Sequence, residues 1–193
     1  MATALHHDLS VYDLFGALTT GAALVLPKGG TPDALAWMEQ VQKHTVTIWN
    51  SVPAFQRLLM EEARTCGVTL PIRLHVLGGD WVPLDAKKLT ESVCPGSRVY
   101  TIGGPTETTI WNIMYEFTSV PPGWKTVPYG KPIPNNRYYL FNEKMEETPD
   151  WVIGEMYCSG VGVCLAVSSS DEKTSFVKHP VTGERLYRTL KMC

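Results

Sequence analysis

Apolar residues in the first hundred positions arrive in two kinds of run that take turns. Short apolar runs at 22–26, 46–49, 73–77 and 98–102 predict buried strands. Between them, 10–20, 53–64 and 84–92 predict helices, as does a stretch running to His44 that Thr31 or Asp33 can cap. Ser10 is a candidate cap for the first helix and Gly21 its stop. Strands alternating with helices imply a parallel sheet covered on both faces. After Trp111 the pattern changes. Residues 112–167 carry short β-like runs, proline pairs and glycines with little helical period, which predicts a β-rich part. The expected fold class is α/β. A parallel sheet with flanking helices spans 1–115 and a smaller β-rich subdomain spans 116–193, with the changeover inside 115–125. No internal repeat or low-complexity tract breaks this order.

Composition narrows the function classes. The chain has 193 residues, 44% of them hydrophobic, enough to bury a core and to make one domain or somewhat more. A net charge of −2 without a basic run argues against nucleic acid as the main partner. No apolar run approaches ~18 residues, so no membrane span is predicted. Residues 1–5 lack the charged and long apolar regions of a signal peptide, which predicts a cytoplasmic location. The cysteines, Cys66, Cys94, Cys158, Cys164 and Cys193, are odd in number and lack CxxC spacing. They read as reduced thiols, not as a zinc site or a disulfide framework. The histidines form no metal-ligand pattern; His6 and His7 are adjacent and point in different directions.

The candidate chemistry centres on Thr101-Ile102-Gly103-Gly104-Pro105-Thr106-Glu107-Thr108-Thr109-Ile110-Trp111. Two glycines let a backbone approach a flat or charged ligand closely. The Thr106 hydroxyl suits a phosphate oxygen, and the Glu107 carboxylate suits a magnesium ion carried by phosphates. The loop follows a predicted strand, where open α/β sheets place ligands. From these residues alone a ligand loop and a β-turn cornered by Pro105 stand equally open. Pro27-Lys28-Gly29-Gly30-Thr31 lacks the glycine and Gly-Lys-Ser/Thr order of a P-loop and reads as a plain turn.

Gly-Gly-Pro-Thr-Glu followed by Thr-Thr-Ile-Trp resembles the adenine- and magnesium-binding motif of adenylate-forming enzymes. It resembles more narrowly that of the amino-acid-activating (adenylation) domains of nonribosomal peptide synthetases. Most members have Tyr where Gly103 stands, and the Gly-Gly pair is familiar in the cysteine-activating branch. The replacement removes an aromatic face on which adenine would stack. Other segments follow in the family's order. His7-Asp8-Leu9-Ser10-Val11-Tyr12-Asp13-Leu14-Phe15-Gly16 is similar to Phe-Asp-x-Ser-Val-Tyr-Asp-x-Phe-Gly. Trp49 to Pro53 and Leu77 to Pro83 resemble pocket-lining segments. Trp151 to Tyr157, with Gly160 and Gly162, resembles a Gly-Glu-Leu segment, and His179 to Thr189 the run into Tyr-Arg-Thr-Gly-Asp.

This resemblance implies part of an adenylate-forming enzyme core. Such a domain joins an amino acid to ATP, with Mg2+, and passes it to phosphopantetheine on a peptidyl carrier protein beside neighbouring synthetase domains in secondary metabolite biosynthesis. It implies catalytic roles for Thr106, on phosphate, and Glu107, on the metal. Gly78, Gly79, Gly103 and Gly104 would form a slot around adenine. Asp8 would pair with the substrate ammonium, its alternative being a carboxylate favoured at a helix N-terminus. The pocket positions fall on Asp8, Leu9, Tyr12, Asn50, Val76, Gly78, Ile102, Ile110 and Trp111. They resemble the cysteine-activating pattern, with Val76, Gly78 and Ile102 in place of its Leu, Ser and Leu. L-cysteine is therefore the expected substrate, and glycine or another small residue the next. His7, in place of Phe, stands at the rim, as a gate or merely half exposed. Asp13 reads as a helix residue without a catalytic role. An acyl- or aryl-CoA ligase of the same superfamily and a non-catalytic remnant are the alternatives; Asp8 and the pocket pattern argue against the ligase.

The sequence departs from the family in what it lacks: the upstream Ser/Thr/Gly-rich phosphate loop, the Gly-Asp after Tyr187-Arg188-Thr189, and the C-terminal subdomain with its catalytic lysine, which Lys191 does not replace. Residues 165–171 also lack the usual glycine and aromatics. Negligible turnover is the expectation for these 193 residues alone.

Overall fold

The computed structural model describes residues 1–27, 32–165 and 175–193. The predicted turn at 27–31, Thr31 as a cap and the departure at 165–171 lie wholly or partly outside them. The chain divides into two compact units. The first is Met1–Ile102 with Tyr115–Gly130, and the second is Gly103–Met114 with Lys131–Cys193.

In the first unit a π-helical turn, Tyr12–Gly16, leads into a short helix α1 (Ala17–Thr19). Then follow α2 (Ala34–Lys43), β1 (Ile48–Ser51), α3 (Pro53–Thr65), β2 (Leu74–Leu77), α4 (Ala86–Val93) and β3 (Arg98–Gly103), which ends at the second unit's first residue. β1 and β2 run parallel with Asn50 beside Val76, and β2 and β3 parallel with Val76 beside Tyr100. Asp33 caps α2, its Oδ1 accepting from the Ala36 N–H at 3.0 Å, and Pro53 opens α3 where its missing N–H costs nothing. Trp37, Met38 and Val41 of α2 bury against Trp49, and Leu59, Met60 and Ala63 of α3 against Leu89 and Val93 of α4. A second cluster joins Leu77, Ala86, Val99, Phe117 and Val127.

Two expectations are corrected. Residues 22–26 form no strand; their one tie to the N-terminus is the Met1 amine, which donates to the Val25 carbonyl at 2.7 Å. Apolarity without a ladder partner does not make a strand. Ser10 does not cap the first helix. Its backbone is already helical, and its hydroxyl donates to the Leu5 carbonyl at 3.2 Å.

In the second unit β4 (Ile113–Glu116), which runs on into the first unit, pairs through Ile113 and Met114 with β5 (Lys131–Pro132). An antiparallel sheet follows in the order β6 (Asn136–Phe141), β7 (Glu155–Gly160), β9 (Arg185–Met192), β8 (Phe176–Lys178). Phe141, Tyr157 and Leu186 form its core. The Gly-Glu and Tyr-Arg-Thr segments become ladder neighbours, with Tyr157 opposite Arg188. The Arg188 guanidinium donates to Glu155 at 2.7 Å and holds that carboxyl below its ordinary range. The cysteines are free, and burial pushes the Cys94 and Cys158 thiols up to about 11, which suppresses thiolate reactivity.

Candidate functional site

The sequence-predicted residues fall into two groups, one in each unit. In the first unit they gather on one face of the parallel sheet. Side chains alternate along a strand, so Asn50 and Val76, paired across β1 and β2, share a face, and Gly78 and Ile102 continue it one step further. A Cβ on Gly78 would lie 2.6 Å from Ile102 Cγ1 and 3.0 Å from the Ile102 carbonyl. Gly78 is therefore what makes room for Ile102. Gly78→Ser is expected to destabilise the chain by ~1–3 kcal/mol through overpacking. Adding Ile102→Leu, whose branch lies one bond further out, should recover at least half of that loss in thermal melts. Additive losses would disprove this coupling.

The segment carrying Asp8, Leu9 and Tyr12 is tied to β1 through Asn50. The Asn50 amide, 5% exposed, donates from Nδ2 to the Leu9 carbonyl and to Asp13 Oδ1, both at 3.1 Å. Leu9 is buried, and Asp8 and Tyr12 are half-buried. The π-helical turn widens the helix where Tyr12 and Asp13 leave it, a distortion common at functional sites. Gly16 lets the Tyr12 ring lie close, since a Cβ there would stand 3.3 Å from it. His7 is exposed, and its Nδ1 lies 3.1 Å from Asp8 Oδ1. Gly79, at φ +84, lies against Val52, Leu9 and His7. Burial pushes the Asp13 carboxyl up, while the Asn50 hydrogen bond holds it down. The sequence reading set Asp13 aside; its spacing of five from Asp8 gave no signal, because a π turn is not legible in a helical period. A cavity of about 610 Å³ in this unit is lined by Tyr12, Asp13 and Asn50 together with Trp37, Val41 and Arg73, and not by Asp8, Leu9, Val76, Gly78 or Ile102.

In the second unit Gly103, Gly104, Thr106, Glu107, Ile110 and Trp111 lie on one fastened loop. Pro105 is extended and leads into a 3-10 turn, Thr106–Thr108. Thr106 is exposed, Glu107 half-buried, and Ile110 buried. Asn112, fully buried, holds the loop: its N–H donates to the Gly103 carbonyl at 2.9 Å, and its Nδ2 to Thr108 Oγ1 at 3.0 Å. The Tyr138 hydroxyl donates to Asn112 Oδ1. Gly162 closes the far side, where a Cβ would stand 2.7 Å from the Thr108 carbonyl, and Thr109 Oγ1 donates to the Gly162 carbonyl at 2.8 Å. Sequence reasoning missed Asn112 and Tyr138. Gly162 was the one visible sign of a close approach.

The donor set fits a magnesium ion shared with phosphates. Among the described residues no three His, Cys, Asp or Glu side chains come together. Glu107 offers one hard carboxylate, which suits an ion that keeps several waters and takes its other ligands from a nucleotide. No helix is long and apolar enough to cross a membrane, among the described residues.

Known proteins match this arrangement along nearly the whole chain. Pyochelin synthetase PchE of Pseudomonas aeruginosa is 38% identical over 191 residues, which are 97% of this chain and 13% of that protein. Bacitracin synthase 1 of Bacillus licheniformis is 38% identical over 97% of this chain and 4% of its own length. A solved nonribosomal peptide synthetase, FmoA3 in an alpha-methyl-L-serine-AMP bound form, superimposes with a TM-score of 0.93 at 40% identity, covering 97% of this chain and 22% of that one. The chain thus spans a small part of each of these relatives. Residues 1–166 match the AMP-binding enzyme family, and the chain belongs to that family.

Proposed function

We propose that this chain is part of an adenylation domain that activates a small amino acid with ATP and delivers it to a carrier-protein thiol. Two observations, one within each unit, support this reading. One is the buried Asn50 that ties the Asp8 segment to a sheet face lined by Val76, Gly78 and Ile102. The other is the fastened Gly103–Trp111 loop presenting Thr106 and Glu107.

Adenylation needs two anions positioned and the developing charge neutralised; it needs no protein nucleophile. Asp8 takes the substrate ammonium by a charge-assisted hydrogen bond. Leu9, Tyr12, Asn50, Val76, Gly78, Ile102, Ile110 and Trp111 bound the side chain. Gly78, Gly79, Gly103 and Gly104 admit the adenine, and Thr106 donates its hydroxyl to phosphate. Mg2+, held by Glu107, supplies charge neutralisation on the phosphates when bound. A phosphopantetheine thiol on a peptidyl carrier protein is the acceptor, in the cytoplasm, among neighbouring synthetase domains of a secondary-metabolite pathway.

L-cysteine is the proposed substrate, on the Asp8, Leu9, Tyr12, Asn50, Ile110 and Trp111 pattern. A small hydroxy amino acid is the second reading, favoured by the alpha-methyl-L-serine adenylate held by a neighbour of 40% identity. Amino-acid-dependent ATP–pyrophosphate exchange by the native polypeptide that carries these residues tests this. Exchange should be highest with L-cysteine, and Asp8→Ala should lower it about 10- to 100-fold, the worth of one charged hydrogen bond. Equal exchange across large amino acids, or indifference to Asp8→Ala, would overturn the reading.

A further inference from the structure

Thr109 ends the 3-10 turn in a backbone conformation that few residues adopt, with φ 87 and ψ −80. Among the described residues, five other non-glycine positions have positive φ, and theirs lie between 51 and 70. That range is the one of the left-handed helical well; the values at Thr109 belong to the rare, strained γ-turn. A β-branched side chain fits that place worst, and glycine fits it freely. Such strain persists only where the surroundings over-determine it. Here they do. The Thr109 hydroxyl donates to the Gly162 carbonyl at 2.8 Å, and its N–H to the Thr106 carbonyl at 3.0 Å. The Cys164 N–H donates to the Glu107 carbonyl at 2.9 Å, so the turn is tied to residues 162–164 at two points. Thr108 and Ile110, on either side, are buried, and swinging either out to release the strain would expose it.

We propose that Thr109 is a positioning residue: its hydroxyl, anchored on Gly162, holds the backbone in the strained conformation, and that conformation sets the direction in which the turn presents Thr106 and Glu107. This inference rests on the adenylation reading above and adds the residue that aims its phosphate and metal ligands. Thr109 acts through the turn and not on the nucleotide. The anchor and the strain oppose one another, and substitutions separate them. Thr109→Ala keeps the strain and loses the anchor. Thr109→Gly loses both, so the lost hydrogen bond and the relieved strain offset in stability while the turn is freed to swing. Thr109→Ser keeps the anchor and sheds the methyl group that crowds the backbone.

Thermal melts of the chain, paired with pyrophosphate exchange by the native polypeptide that carries it, test this. Thr109→Ala should melt about 2–4 °C lower, the contribution of one hydrogen bond in a chain of this size. Thr109→Gly should melt above Thr109→Ala and close to the unaltered chain. Its exchange should nevertheless fall about 10- to 100-fold, and half-maximal exchange should need more Mg2+, because Glu107 is no longer held in line. Thr109→Ser should match the unaltered protein in exchange and melt no lower. Thr109→Gly melting at or below Thr109→Ala would show that no strain is stored at this position and would overturn the inference while leaving the adenylation reading intact. So would full exchange by Thr109→Gly, which marks a residue that only joins two turns. A lower melt for Thr109→Ser would overturn it as well, since the methyl group would then be packing instead of straining the backbone. Absence of exchange by the unaltered native polypeptide with any amino acid would instead overturn the adenylation reading, and the inference with it.

Discussion

Lowering the pH from neutrality is expected to unfold this chain through one histidine in the middle of its sheet. His75 lies on β2 between Trp49 and Val99, fully buried, with no hydrogen-bond partner for either ring nitrogen among the described residues. Burial, helped by the nearby Lys87 charge, depresses its pKa from 6.5 to about 3. In that window the unfolded chain binds a proton that the folded chain refuses, so stability rises with pH and is lost on acidification. The slope reaches about 1.4 kcal/mol per pH unit, and the accumulated loss by about pH 3 is roughly 5 kcal/mol, comparable to the whole stability of a marginal domain. His75→Leu removes the titrating group and two unsatisfied nitrogens together. Urea unfolding at about pH 7.5 and about pH 5 should show the wild type losing about 2 kcal/mol more than the variant between them. Parallel pH profiles would show that His75 takes its proton in the folded state at little cost. The strand pattern hides this site: a histidine at an inward position of a buried strand looks like any other residue of the run.

Adding a single methyl group to Gly104 should have the second largest effect, and it should fall on function. Its Cβ would stand 2.6 Å from Trp111 Cα and 2.9 Å from the Asn112 nitrogen, both backbone atoms that no rotamer change can move. The loop has to shift, and it is the loop that sets Thr106 and Glu107 in place. Gly104→Ala should cost ~1–3 kcal/mol of stability. In the native polypeptide that carries the chain it should also lower pyrophosphate exchange about 100-fold, the expected cost of misplacing the groups proposed above to orient a reacting phosphate. Gly67→Ala is the control. Gly67 has φ +66 and nothing within 4 Å of its Cβ position, so the substitution strains the backbone by about 1 kcal/mol and should leave exchange unchanged. Equal losses of exchange in the two variants would mean that Gly104 matters only for folding.

The parallel core was legible because its evidence is local. The apolar runs that became β1, β2 and β3 needed only to be short, apolar and separated by helices. The run at 22–26 has the same composition and failed, since a strand also needs a neighbour to take its hydrogen bonds, and composition does not name one. The glycine loop was legible as a motif. Its fastening by Asn112, Tyr138 and Gly162 was not, because those residues lie 4, 30 and 54 positions or so beyond Thr108 in sequence and meet only when β6 and the turn after β7 fold beside the loop. Asp13 shows a third kind of blindness. A regular helix from Ser10 onward sets its direction by the 3.6 period, whereas the π turn rotates it toward Asn50.

The shared face of Asn50, Val76, Gly78 and Ile102 has a consequence for how the pocket proposed above changes over evolutionary time. These side chains project from strands whose backbone groups pair with one another, so each can be exchanged without disturbing the ladder that presents it. Under the proposed function a lineage can therefore retune its choice of building block by point substitution, one contour at a time, with neighbours such as Gly78 and Ile102 obliged to change in step. Gain or loss of one residue within β2 would do the opposite. It would turn Val76 toward the helices and bring His75 or Leu77 into the pocket, exchanging every contact at once. Diversity in this region should accumulate as substitutions, while strand length stays constant.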